Sequence, residues 1–132
     1  MPAKQPEDNL SRRERQIMDV IYTLKHATVT EVVETIVDAP SRTTIRTLMR
    51  ILEEKGHLKH KKQGREYLYL PTRPRVRAGQ SAMRRVIETF FGGSLEQAVA
   101  THLTDPKADL SADELERIAS LIAQAKKEGK QS

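Results

Sequence analysis

The chain predicts a mainly α fold with a small β-hairpin: a winged helix-turn-helix N-terminal domain followed by a C-terminal helical dimerisation segment. Three observations carry that prediction. Apolar residues recur at helical spacing in successive short segments up to Leu52. Two capping-box signatures, Ser11 with Glu14 and Thr28 with Glu31, mark helix starts where a hydroxyl and a carboxylate satisfy orphan backbone amides. A stretch rich in Tyr and Leu around Gln63 and Gly64 then breaks the helical period and reads as two extended segments.

The elements follow in order. Residues 1–10, with Pro2 and Pro6 among polar side chains, predict a flexible arm without the apolar run of a signal peptide. Helix one begins at Ser11 and runs to about Lys25, with Ile17, Val20, Ile21 and Leu24 inward. Helix two starts at the Thr28 box, carries Val29, Val32, Val33 and Ile36 on one face, and is ended by Asp38 to Pro40. Ser41 caps helix three, which closes at Lys55 and Gly56, a cation in the last turn followed by the residue that best tolerates a left-handed cap. Extended segments over 57–62 and 65–70 add the wing, completing a winged helix-turn-helix domain over 11–72. Pro71 and Pro74 with Arg73, Arg75 and Arg77 predict a basic linker over 73–77.

Residues 78–128 read as a helical dimerisation domain, and 129–132 as a disordered tail. Met83, Val86, Ile87 and Phe90 form one stripe, Gly92-Gly93 interrupts, and Leu95, Ala98 and Val99 begin a short helix. Ser111 and Glu114 cap a last helix with the stripe Leu115, Ile118, Ile122 and Ala125. Roughly fifty residues in three short helices bury too little surface to stand alone. Two copies interlocking through Met83, Val86, Ile87, Phe90, Phe91, Leu95, Val99, Leu115, Ile118 and Ile122 would share one core. Packing of these helices back onto the first module in a monomer is the alternative.

Composition limits the function. Hydrophobic residues at 37% with aromatics at only 4% suit a helix-rich chain with a modest core. No stretch is apolar enough to span a membrane, so a cytoplasmic location is expected. The absence of cysteine excludes disulfides and thiolate metal sites. His57 and His60, three apart in an extended segment, face opposite sides with no acidic cluster beside them, so neither a metal nor a cofactor is predicted. No nucleophile motif, phosphate-binding glycine loop or active-site carboxylate pair is present, which argues against an enzyme. Residues 1–77 hold 16 Lys+Arg against 10 Asp+Glu, net +6, whereas 78–132 hold 7 against 8, net −1. A basic front half joined to a neutral back half suits a polyanion-binding module carried by a segment with another role.

Helix three identifies the polyanion. At about 100° per residue, Ile45, Leu48, Met49 and Leu52 fall in one arc, while Thr43, Arg46, Thr47 and Arg50 point the opposite way. A major groove admits one α-helix, and arginine bidentate to guanine is the commonest base-specific contact. Pairing of Arg46 and Arg50 with Glu53 and Glu54 is the competing role, yet the threonines Thr43, Thr44 and Thr47 are poor helix formers whose clustering needs another reason. Ser41 and Arg42 at the helix start suit phosphate anchoring. Lys59, Lys61, Lys62 and Arg65 around the hairpin tip suit backbone contact. Tyr67 and Tyr69 are expected to pack the hairpin against helices one and three. A winged helix that binds another protein, as an interaction adaptor, is the rival function.

The order Leu10 to Ile21, Thr28-Val29-Thr30-Glu31-Val32-Val33, then residues 42–56 is similar to the penicillinase-repressor (BlaI/MecI/CopY) family. Phe91-Gly92-Gly93, followed by a short helix and by Asp109-Leu110-Ser111-Ala112-Asp113-Glu114-Leu115-Glu116, resembles that family's dimerisation part. The resemblance implies a homodimeric repressor on a palindromic promoter operator of the TACA/TGTA type, with Thr43, Arg46 and Thr47 reading bases and the wing on the backbone. It also implies release by a signal, in some members through a regulatory protease that cuts an Asn-Phe bond. Here the only asparagine is Asn9 and the phenylalanines follow Thr89 and Phe90, so that bond is missing. The cysteine-rich tail of the copper-responsive members is missing too.

Overall fold

A computed structural model describes residues 10–129. Most of the expected arm (1–9 of 1–10) and most of the expected tail (130–132 of 129–132) lie outside the described residues. The element order is α1 (Arg12–Leu24), α2 (Val29–Thr35), α3 (Arg42–Glu54), β1 (Leu58–Gln63), β2 (Glu66–Pro71), α4 (Arg75–Phe91), α5 (Leu95–Leu103) and α6 (Ala112–Lys127). The chain divides into two compact units, one up to Met83 and one from Arg84 onward.

Each helix start of the first unit is set by local hydrogen bonding. The Glu14 amide donates to Ser11 Oγ at 3.1 Å while the Ser11 amide donates to Glu14 Oε1 at 2.8 Å. The same reciprocal box joins Thr28 and Glu31, at 3.2 and 2.9 Å. Both spare the first turn its orphan donors. Helix α1 stops because Lys25 takes a left-handed conformation, φ 77°, which leaves Leu24 exposed rather than inward. Leu10, counted with the arm on sequence grounds, is half-buried against the core.

That core is small and closed. Ile17, Ile21, Val32, Ile45, Met49, Leu52 and Leu58 are fully shielded from water, with Tyr69 beside them. Helix α3 supplies Ile45, Met49 and Leu52 at i, i+4 and i+7, the spacing that puts side chains on one face. Tyr69 also ties the hairpin to the turn before α2: its amide donates to the Ala27 carbonyl at 2.9 Å, and the Ala27 amide returns a bond at 3.0 Å. Glu14, almost wholly buried, receives Lys55 Nζ at 3.0 Å from each carboxylate oxygen, joining the start of α1 to the end of α3.

The hairpin turn lies one residue later than expected. Gln63 pairs with Glu66, so the two-residue turn is Gly64-Arg65. Gly64 has φ 65° and Arg65 is not among the positive-φ residues, the pattern of a turn with glycine at its first central position. Tyr67 also departs from expectation: it is 45% exposed and stacks on His60 instead of packing against the helices.

The expected linker over 73–77 is mostly helix, since α4 begins at Arg75. Pro74 explains the difference: its fixed φ suits a first helical turn, and its carbonyl accepts from the Arg77 and Ala78 amides. In the second unit, Ser94 and Ser111 cap α5 and α6 through the Gln97 and Glu114 amides, at 3.1 and 3.0 Å. No described residue of α4, α5 or α6 is buried.

Candidate nucleic-acid interface

The sequence-predicted contacts divide into a helix surface and a groove. Thr43, Arg46 and Arg50 are exposed on α3, opposite its buried face, whereas Thr47 is only half-exposed. Ser41 and Thr44 are exposed but occupied with each other: the Thr44 amide donates to Ser41 Oγ at 3.1 Å and the two hydroxyls lie 3.0 Å apart. Lys61, Lys62 and Arg65 are exposed on the hairpin.

Arg42 is held more firmly than a free phosphate anchor would be. Its guanidinium donates to Thr30 Oγ1 at 2.7 Å, and that hydroxyl donates to Glu66 Oε1 at 3.0 Å. The relay joins the starts of α3 and α2 to the tip of the wing. Since β1 leaves the end of α3 and the hairpin tip returns to its start, the wing lies alongside the helix.

Between them runs a groove of about 550 Å³ lined by Val29, Arg42, Arg46, Arg50, Glu53, His60, Arg65, Glu66, Tyr67 and Tyr69. Four of the predicted arginines therefore meet there, while the predicted serine, threonines and lysines do not line it. Its two carboxylates are engaged: Glu66 by Thr30, and Glu53 by His60 Nδ1 at 2.7 Å from each oxygen. Glu53 thus pairs across to the wing and not along the helix with Arg46 or Arg50, which make no hydrogen bond or ion pair among the described residues. Burial pushes the Tyr69 hydroxyl above its ordinary range, with Glu53 and Tyr67 adding to the rise and Arg46 and Arg50 opposing it. The cationic face of α3 is therefore electrostatically coupled to the base of the wing.

Sequence reasoning missed Glu53, His60, Glu66 and Tyr67 as groove residues, and Thr30 as the link between Arg42 and Glu66. Thr30 and Glu66 are 36 positions apart and Glu53 and His60 are separated by the helix end, so no local spacing joins them. The one legible signal was strand alternation, which places His60 on the face opposite Lys59 and Lys61.

An arginine-bearing helix set beside a basic hairpin, both mounted on a closed three-helix core, defines a winged-helix DNA-binding protein. The family model described as penicillinase repressor matches residues 10–124, and the chain belongs to that family of DNA-binding repressors. Among solved structures it is similar to the solution structure of the DNA-binding domain of the repressor BlaI. The two share 31% identity over 55% of this chain and 89% of that one, with a TM-score of 0.47. No curated protein sequence matches the chain significantly.

Proposed function

We propose that the chain is a homodimeric transcriptional repressor that reads a palindromic promoter operator of the TACA/TGTA type through α3 and holds its backbone with the wing. The observation that carries this reading is the convergence of Arg42, Arg46, Arg50 and Arg65 on one groove beside an otherwise uncommitted helix face. Arg46, Thr43 and the half-exposed Thr47 are assigned to bases. Ser41, Arg42, Thr44, Arg50, Lys61, Lys62 and Arg65 are assigned to the phosphate backbone.

The homodimer rests on the second unit. In a single copy Phe90 is 74% exposed and Leu95 63%, and nothing in α4 to α6 is buried, so these helices lack a core of their own. A second copy would cover Met83, Val86, Phe90, Leu95, Val99, Leu115 and Ile122, with the half-exposed Ile87, Phe91 and Ile118. A two-fold dimer would place its recognition helices about one DNA turn apart, roughly 34 Å. Release of the operator would follow loss of the dimer, for example through proteolysis within α5 at a bond other than Asn-Phe. The site of action is the cytoplasm; no helix among the described residues is long and apolar enough to cross a membrane.

Fluorescence anisotropy with a TACA/TGTA palindrome and a scrambled duplex, across a salt series, tests the reading. Salt-sensitive binding that favours the palindrome by about a thousandfold is expected. Equal affinity for both duplexes would refute operator reading, and no binding at low salt would leave the interaction adaptor.

A further inference from the structure

His60 was no part of the DNA-binding surface expected from sequence, yet it occupies the wall of the helix–wing groove. Its Nδ1 lies 2.7 Å from both oxygens of Glu53. A carboxylate only accepts, so Nδ1 carries the hydrogen and the neutral ring is left with a bare lone pair on Nε2. The ring cannot turn freely to exchange the two nitrogens. It stacks on Tyr67 with centroids 4.2 Å apart and interplanar angle 26°, and lies 5.7 Å from the Tyr69 ring. Nε2 has no hydrogen-bond partner among the described residues, and the side chain is 33% exposed.

The surroundings favour an anion at that nitrogen. On α3, His60 is faced by Arg46, Arg50 and Glu53, with Arg42 at the helix start; on β2 by Tyr67, Tyr69 and Glu66; and in the turn by Arg65. Lys62 shares its face of β1, α2 contributes only Val29 to the lining, and α1 contributes nothing. A groove rimmed by four arginines between a recognition helix and a wing has the charge and position to take one strand of the DNA backbone. A phosphate there meets a lone pair when His60 is neutral and a charged N–H donor when it is protonated.

We propose that His60 is a proton-linked phosphate contact: the DNA backbone entering the helix–wing groove is bonded by Nε2 only in the doubly protonated ring, so DNA binding favours uptake of a proton by that ring. Glu53 is the positioning residue that fixes the tautomer and prevents the neutral ring from serving as donor. This inference rests on the repressor reading above, and adds to it a dependence on pH that a groove of arginines alone would not have.

The test is the affinity of the full-length protein for the TACA/TGTA duplex and for the scrambled duplex between pH 6 and pH 8 at constant ionic strength. Wild-type binding is expected to weaken by roughly tenfold across that range, the scale of one charge-assisted hydrogen bond, on both duplexes alike because the contact is to backbone. His60→Gln should flatten the dependence, while His26→Gln and His102→Gln retain it. Glu53→Leu should also flatten it, because nothing then holds the hydrogen on Nδ1 and the neutral ring can carry it on Nε2 as a donor to phosphate. A purely structural pair would change affinity without changing that slope. Binding that is flat with pH in the wild type, or a wild-type slope in His60→Gln or Glu53→Leu, overturns this inference and leaves the repressor reading standing. Failure to bind either duplex at pH 6 and low salt overturns both.

Discussion

Replacing Lys55 by Met removes one partner of the ion pair that joins α1 to α3, and the structure sets the size of the effect. Glu14 has a side chain only 5% exposed and is approached by Lys55 Nζ at 3.0 Å, whereas Lys55 itself is 38% exposed. Breaking a fully buried pair costs about 3–5 kcal/mol, and an exposed one is worth about 0.2–1 kcal/mol. With the acid buried and the base partly hydrated, Lys55→Met should destabilise the fold by about 2 kcal/mol. Glu14→Gln should cost less, about 1 kcal/mol, because the amide oxygen still accepts from Ser11 and the orphaned lysine can reach water. Urea unfolding followed by circular dichroism at fixed protein concentration measures both, and 2 kcal/mol corresponds to a midpoint shift of about 1 M.

The pH dependence supplies an independent check. Burial alone would raise the Glu14 carboxyl, but the Ser11 backbone amide, the Lys55 hydrogen bond, the Ser11 side chain and the Lys55 charge outweigh it and hold the group below its ordinary value. A carboxyl lowered in the folded state contributes its full stability above its unfolded value, near pH 4.3, and loses that contribution as pH falls through the folded value. The penalty of Lys55→Met should therefore be constant from pH 7 to about pH 5 and shrink in more acidic solution. A variant within about 0.5 kcal/mol of wild type at pH 7, or a penalty that grows on acidification, would refute the assignment of this pair as a fold-holding contact.

Arg46→Ala should weaken operator binding by about 1–3 kcal/mol while barely changing affinity for scrambled duplex; equal losses on both, measured by anisotropy, would remove its base-reading role. Lys62→Ala should weaken all sequences alike and lower the slope of log affinity against log salt by about one. Phe90→Asp, which puts a charge on the most exposed aromatic of α4, should convert the proposed dimer to monomer in sedimentation equilibrium, and an unchanged mass would refute a place for Phe90 in a shared core. Gly64→Val forces a β-branched side chain to φ 65° and should lower stability by about 1–2 kcal/mol in the same urea assay, through strain alone, since nothing lies within 4 Å of the added Cβ.

How much of this was legible depended on the range of the interaction. The boxes at Ser11 and Thr28 act over three residues, and both form where the sequence placed them. The buried stripe Ile45, Met49 and Leu52 acts over two turns and was equally plain. Boundaries set by a single backbone choice were less visible: the hairpin slipped by one because Gly64 takes the first turn position, and α4 began early because Pro74 opens a helix as readily as it ends one. The groove was the least legible part. Arginines on α3 could be counted from spacing, but Glu53 reaching His60 and Thr30 linking Arg42 to Glu66 depend on how the wing folds back along the helix.

The two halves also show what periodicity does and does not specify. Apolar stripes of similar spacing run through α1 and α3 and through α4 and α6, yet the fully buried hydrophobic residues among those described all lie between Ile17 and Tyr69. A stripe states which face of a helix avoids water; it says nothing about which surface covers it. In the first unit the cover is encoded nearby, because the turns between α1, α2 and α3 bring their stripes together and Tyr69 closes the end through Ala27. In the second unit Gly92 and Gly93, at φ 57° and 85°, break the helices apart and leave Phe90 and Leu95 in water. Covering those two side chains would remove a few hundred Å² of apolar surface per copy, which at about 25 cal/mol per Å² stabilises an assembly by several kcal/mol. The same sequence rule thus closes a domain in one half and leaves apolar faces uncovered in the other; in the proposed homodimer a second copy covers them, and coupling of DNA affinity to that copy would make the dimer the point at which an inducing signal acts.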